Sequence, residues 1–109
     1  MPRVYVTNKG GHDFSAAKVF GTIVYLSNGK CSPYQVSEIY REFAETLQGS
    51  KKEDFILITS LPVMNSIACA IMGFLHERIN LLQYHAQTNT YKARTIVLGA
   101  LLTKDNKEK

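Results

Sequence analysis

The most constraining feature of the sequence is an apolar stretch over residues 55–75 that is almost long enough to cross a membrane. Pro62 lies inside this stretch, and a proline there would break a membrane-spanning helix or begin a new one. Residues 55–58 are apolar without alternation, which is typical of a central parallel strand covered on both faces. We therefore predict a buried strand over residues 54–59, a turn, and a helix that starts near Pro62 or Asn65, with no membrane span.

The rest of the chain alternates between strand and helix patterns. Asp13 or Ser15 is the expected cap of a short helix that ends before Gly21. A clearly amphipathic helix follows, with its expected start at Ser32 and its end at Gly49. β-branched and aromatic residues predict further strands over residues 3–7, 22–26, 79–85 and 91–98.

The order β-α-β-α-β-α-β-β predicts a single Rossmann-like α/β domain over residues 1–103. Alternating strands and helices build a mostly parallel sheet, here of five strands, with helices on both faces. The last strand is expected at the edge of the sheet, antiparallel to its neighbour. Residues 104–109 are expected to form a charged, flexible tail. A chain of 109 residues has the length of one such domain.

The composition narrows the class of protein. Hydrophobic residues make up 45% of the chain and charged residues 20%, which is ordinary for a globular protein and argues against disorder. Cys31 and Cys69 are the only cysteines, too few for a disulfide framework or a thiolate zinc site. The N-terminal residues carry no apolar segment of signal-peptide length. We therefore expect a reduced, cytoplasmic protein without a metal ion or another cofactor.

Polar, turn-forming loops follow the first and third predicted strands. If the strand order is 2-1-3-4-5, these strands are neighbours, and ligands of such folds bind where the carboxyl ends meet. Paired glycines, a lysine and free N–H groups at a helix N-terminus are suited to a phosphate group. The expected ligand contacts are Asn8, Lys9, Gly10, Gly11, His12, Thr59, Ser60, Asn65 and, at the end of the fourth strand, Tyr84. The alternative is that the glycines form only a tight turn and that the hydroxyl groups pair with nearby backbone groups.

Strong motifs for nucleotide turnover or hydrolysis are absent from the sequence. It contains no G-x-G-x-x-G, G-x-x-x-x-G-K-[ST], H-E-x-x-H or G-x-S-x-G pattern. His12 beside Asp13 is a candidate acid–base group for metal-independent phosphodiester cleavage, with Lys9 to stabilise charge. The alternative for His12 is an ordinary surface turn. No catalytic residue is assigned firmly.

The net charge of +4 is unevenly distributed along the chain. Cations dominate before Glu38, where only Asp13 is acidic, and this favours a local anion site over the wrapping of a long nucleic acid. Lys92 and Arg94 are expected on one face of the last strand. They either protect an edge strand from aggregation or, with Tyr91 for stacking, contact a nucleic acid.

Residues 58–65 (ITSLPVMN) lead from a buried strand through a small polar turn into an apolar helix that contains methionine. With its flanking residues, 54–86, this segment resembles the strand–loop–helix–strand core of CARF domains, the CRISPR-associated Rossmann modules that sense cyclic oligonucleotides. Members often carry a Gly-Gly-Thr turn where this chain has Ser-Leu-Pro. The resemblance implies that Thr59, Ser60 and Asn65 contact a ligand and that the protein dimerises.

These features predict a small ligand-binding or regulatory protein that recognises a nucleotide-like, phosphate-containing molecule, with cyclic oligonucleotides among the candidates. The helix after Pro62 has almost no polar side, so we expect it to be sandwiched within the fold or to lie in a subunit interface. A homodimer through this helix or through residues 96–102 is therefore expected. The alternatives are a nucleic-acid-binding accessory protein, a metal-independent phosphodiesterase or ring-nuclease-like enzyme, and a purely structural subunit.

Overall fold

The computed structural model describes residues 1–28, 34–99 and 101–102 of the chain. Its strands are β1 (Arg3–Val6), β2 (Thr22–Tyr25), β3 (Phe55–Leu57), β4 (Arg78–His85) and β5 (Thr90–Val97). Its helices are a 3₁₀ helix (Ser15–Val19), α1 (Val36–Leu47) and α2 (Pro62–His76). Within the described residues, no helix is both long enough and apolar enough to span a membrane.

All five strands belong to one sheet, in the order β2-β1-β3-β4-β5. Strands β1 to β4 all run parallel to one another, and β5 pairs antiparallel with β4 at the edge of the sheet. The prediction of an α/β protein with a mostly parallel five-stranded sheet and an antiparallel edge strand is confirmed. Because β1 and β3 are parallel neighbours, the loops that follow these two strands leave the sheet side by side at the carboxyl ends of the strands.

Helices cover the two faces of the sheet unequally. Both α1 and α2 pack on one face, where Tyr5 and Ile56 join the buried side chains of the helices. On the other face Val6 and Leu57 pack with Ala17 of the 3₁₀ helix. The central strands are thus buried on both faces, as the apolar run without alternation predicts. Among the described residues, the second face is covered by this short helix together with its flanking residues Phe14 and Phe20.

The 3₁₀ helix stands where the sequence predicts a first short helix. The Asp13 carboxylate accepts a hydrogen bond of 2.9 Å from the backbone N–H of Ser15. The Phe20 N–H donates to the carbonyl of Ala17, three residues earlier, over 3.0 Å. This three-residue spacing is that of a 3₁₀ helix. The helix ends at Val19, two residues before Gly21.

The outer side of α2 is exposed, so this helix is not sandwiched within the fold. Met64, Ala68 and Met72 are buried, whereas Phe74 is 86% exposed. Val63 is 40% exposed as well. The buried side chains of α2 pack with those of the sheet and of α1.

Several expectations fall on residues outside the described part of the chain. These are the cap of α1 at Ser32, the thiol of Cys31 and the tail over residues 104–109. The described part of α1 begins at Val36 and ends at Leu47, shortly before Gly49.

Candidate functional site

A cavity of about 420 Å³ opens at the carboxyl ends of β1, β3 and β4. Residues 12–16 form one wall, in the loop after β1 and the start of the 3₁₀ helix. Residues 58–60, which follow β3, form the floor. Tyr84, Asn89 and Tyr91 of the β4–β5 hairpin form a second wall. The volume is within the range of small-molecule sites.

Thr59 is held in place by a network of hydrogen bonds at the floor of the cavity. Its hydroxyl oxygen lies 3.2 Å from that of Thr7, a fully buried residue after β1. The side-chain amide of Asn65 donates to the Thr59 carbonyl over 2.8 Å, and the Asn65 Oδ1 accepts from the Thr59 N–H and hydroxyl. The turn after β3 is thereby tied both to β1 and to α2. Asn65 is a positioning residue for Thr59 and does not line the cavity.

The hairpin wall of the cavity is aromatic. Tyr84 pairs with Tyr91 across the two strands, with ring centroids 5.3 Å apart and ring planes at 58°. The Tyr84 hydroxyl donates to Asn89 Oδ1 over 2.6 Å, and Asn89 has a positive φ of 53°. Tyr84 is 51% exposed, whereas Tyr91 is only 9% exposed. Tyr84 therefore offers an open ring that a planar ligand group can contact.

Asp13 supplies a negative charge to the cavity wall formed by residues 12–16. Its hydrogen bond from the Ser15 N–H holds the pKa of the Asp13 carboxyl below its usual value, so this group is an anion at neutral pH. Burial raises the pKa of the Tyr91 phenol, and the neighbouring Tyr84 and Asp13 add to this effect. Tyr91 therefore remains a neutral hydrogen-bond donor. His12 lies on the same wall, with its ring centroid 6.1 Å from that of Phe14.

The structure places the remaining residues of the first loop away from the cavity. The Lys9 N–H donates to the Ser27 carbonyl over 3.0 Å, and its ammonium lies 5.9 Å from the ring centroid of Tyr25. Asn8 Oδ1 accepts from the Ser27 hydroxyl over 3.0 Å. Gly10 and Gly11 are also absent from the lining. The loop is thus hydrogen-bonded to Ser27, which follows β2. The Lys9 side chain lies over Tyr25 at the end of β2.

Of the predicted ligand contacts, the cavity therefore brings together His12, Thr59, Ser60 and Tyr84. It also includes Phe14, Asn89 and Tyr91, which were not among the expected contacts. The hairpin register is the signal that links Tyr91 to Tyr84, because residues directly opposite each other on antiparallel strands share a face. Asn89, in the turn, is linked to Tyr84 by the hydrogen bond from the Tyr84 hydroxyl. That register depends on the turn length, which the sequence leaves open.

In the described residues, no group of three or more histidine, cysteine or acidic side chains is arranged to hold a metal ion. Burial raises the pKa of the Cys69 thiol, so this half-buried cysteine is not a thiolate at neutral pH.

Comparison with curated proteins and with solved structures found no match. A family model described as "Phage Pam3 gp32-like protein" matches residues 2–98, which include every strand and helix of the fold. The chain belongs to the phage Pam3 gp32-like protein family.

Proposed function

We propose that this protein binds a small nucleotide-like, phosphate-containing molecule in the cavity at the carboxyl ends of β1, β3 and β4. The observation that carries this proposal is the cavity itself, whose lining combines the half-exposed aromatic ring of Tyr84 with the hydroxyl groups of Thr59 and Ser60. The strand order supports a Rossmann-like domain, whose ligands bind beyond the carboxyl ends of the strands at the point where the order reverses. In this sheet that point lies between β1 and β3.

The planar part of the ligand stacks on Tyr84. The ring is half-exposed, and its hydroxyl is held by Asn89, so its orientation is set before a ligand arrives. A base stacked on an aromatic side chain contributes about 1–3 kcal/mol of binding free energy. Asn89 and Tyr91 add polar groups beside that ring for the edge of a base.

The phosphate part lies near Ser60, where α2 begins. The first helical hydrogen bond of α2 runs from the Asn65 N–H to the Leu61 carbonyl, so the N–H groups of Val63 and Met64 have no acceptor within the helix, as is usual where an anion binds a helix N-terminus. The Leu61 N–H donates instead to the Thr59 hydroxyl over 3.3 Å. The Asp13 carboxylate and the distance of Lys9 from the lining disfavour a highly charged ligand. We therefore expect a nucleoside monophosphate or a phosphodiester such as a cyclic oligonucleotide, rather than a triphosphate.

The first test is a thermal-shift panel of nucleosides, nucleoside mono- and triphosphates, and cyclic di- and oligonucleotides, followed by calorimetry on any hit. Tyr84→Leu is expected to weaken binding of the hit by roughly 5- to 100-fold, which corresponds to the loss of one stacked base. Tyr40→Leu is the matched control, because Tyr40 is 56% exposed on α1, away from the cavity. No stabilisation by any member of the panel would contradict the proposal.

A second pair of variants locates the phosphate. Ser60→Ala is expected to weaken the same hit about tenfold, the effect of one hydrogen bond to a charged group. Lys9→Ala is expected to leave the affinity within about twofold, because Lys9 lies outside the lining. If Lys9→Ala weakened binding and Ser60→Ala did not, the phosphate would lie at the loop after β1 instead.

The position of His12 in the lining favours a second candidate, slow phosphodiester cleavage without a metal ion. In this scheme His12 acts as acid or base on a bound phosphodiester. Chromatography of a hit after incubation tests the idea: His12→Gln must abolish product formation while binding is retained, and an unchanged ligand with the native chain removes it.

A further inference from the structure

The outer edge of β5 is an eight-residue strand with no neighbour in the described part of the chain. The Leu98 N–H donates to the carbonyl of Glu77, the residue before β4, over 3.0 Å, so Leu98 directs its backbone groups towards β4. Backbone groups alternate in direction along a strand. The N–H and carbonyl groups of Ala93, Thr95 and Val97 therefore point outwards, away from the sheet.

The two halves of β5 carry different kinds of side chain. Lys92 and Arg94 occupy the half near the hairpin turn, on the face that carries α1 and α2. The half near the body of the protein is apolar and exposed: Ile96 is 47% exposed, Val97 58% and Leu98 41%. Cations protect an edge strand from pairing with other chains. Here that protection covers only the first half.

We propose that two copies of the chain pair through the outer edges of β5, antiparallel and around a two-fold axis, with Thr95 opposite Thr95 of the second copy. The pairing unites the two sheets into one of ten strands. Three residue pairs, 93 with 97, 95 with 95 and 97 with 93, then exchange about six backbone hydrogen bonds in total. The Ala93 carbonyl gives up the exposed hydrogen bond of 3.2 Å that it accepts from the Arg94 guanidinium in the single chain. The interface covers the exposed apolar half of the strand in both copies.

The charges on β5 select this register. Pairing centred on Thr95 places Arg94 opposite Ile96 and Lys92 opposite Leu98 of the second copy, so no cation faces another. A shift towards the hairpin turn places Arg94 opposite Arg94 or Lys92 opposite Arg94, and like charges directly opposite each other are destabilising. A shift the other way pairs Ile96 with itself and loses the bonds between residues 93 and 97. A second copy of the chain is thus the partner that fits both the backbone and the charges.

The proposal does not depend on the ligand cavity, because Tyr84 and Tyr91 lie at the other end of the hairpin from Ile96. Sedimentation velocity on the native chain is expected to give twice the 12.2 kDa mass of one chain at micromolar concentration. Ala93→Pro removes an outward-facing N–H and leaves the bonds to β4 intact, a position that an edge strand tolerates. This variant is expected to be monomeric. A monomeric native chain, or a folded Ala93→Pro variant that remains a dimer, would overturn the proposal.

Charge variants at Ile96 supply a test that needs no proline. Ile96→Glu places a carboxylate opposite Arg94 of the second copy, whereas Ile96→Lys places an ammonium there. The glutamate variant is expected to dimerise at least tenfold more tightly than the lysine variant at low salt, with the difference shrinking as salt is added. If Ile96 instead faced Ile96, both variants would weaken the dimer alike, and this register would be wrong.

Disulfide trapping reads the register directly. In a chain with Cys31→Ser and Cys69→Ala, single cysteines are introduced as Arg94→Cys, Thr95→Cys and Ile96→Cys. Opposed residues on antiparallel strands lie within the Cα separation that a disulfide needs. Thr95→Cys is expected to cross-link fastest. Faster cross-linking at either neighbour, or equally slow reaction at all three, would contradict the pairing.

Discussion

At Gly21 the backbone passes so close to Pro2 that a side chain has no room. A Cβ atom placed there would lie 2.2 Å from the Pro2 carbonyl oxygen, which is also the acceptor of the Thr22 N–H. We expect Gly21→Ala to lower the free energy of unfolding by about 1–3 kcal/mol, because backbone must move to admit the methyl group. Urea unfolding followed by circular dichroism measures this change.

Gly11→Ala is the control for that substitution. No atom lies within 4 Å of a Cβ placed at Gly11, and its φ is not in the left-handed region. The free energy of unfolding is expected to change by less than about 0.5 kcal/mol. If both variants lost the same free energy of unfolding, the short distance between Gly21 and the Pro2 carbonyl would not be the cause of the loss in Gly21→Ala.

Residue identity alone predicted only part of the candidate site. Thr59 and Ser60 were expected from their place after a buried strand, and both line the cavity. The charge of Lys9 and its glycine neighbours predict a phosphate contact. The path of its loop takes it to Ser27 and Tyr25 instead, and that path is set by contacts with residues distant in sequence.

The two sides of α2 differ in burial although their composition is nearly the same. We expect Met72→Ala to lower the free energy of unfolding by about 2–5 kcal/mol, because Met72 is buried against the sheet and α1. Phe74→Gln is expected to change it by less than about 0.5 kcal/mol, since Phe74 is 86% exposed. Chemical denaturation at low protein concentration compares the two. A large loss for Phe74→Gln would indicate that the outer side of α2 is covered by another chain.

Helices with apolar residues along one side only were predicted best. The buried residues Ile39, Phe43 and Leu47 of α1 follow the apolar positions of its helical repeat. A helix that is apolar on every side, such as α2, carries no such information. Which of its sides is buried depends on where α1 and the sheet lie.

Over the whole molecule, protection of backbone amides should decrease from the centre of the sheet to its free edge. We expect the amides of Tyr5 and Ile56, two fully buried residues of the central strands, to exchange with solvent only on global unfolding. Within β5, amides that point towards β4, such as that of Ile96, should exchange more slowly than that of Thr95 when the chain is monomeric. Residue-resolved hydrogen exchange by NMR on the Ala93→Pro variant measures both orders. A reversed alternation along β5 would contradict the assignment of its outer edge.

The sequence by itself determined the kinds of elements, the mostly parallel sheet and the antiparallel edge strand, because apolar periodicity and turn residues act over a few neighbouring positions. Only the tertiary structure decided that α1 and α2 share one face, that Tyr84 meets Tyr91, and that Lys9 is turned away from the cavity. These outcomes depend on register and on contacts between residues far apart in the chain. Local patterns carry no information about such contacts, since many loop paths and registers satisfy the same sequence of strands and helices.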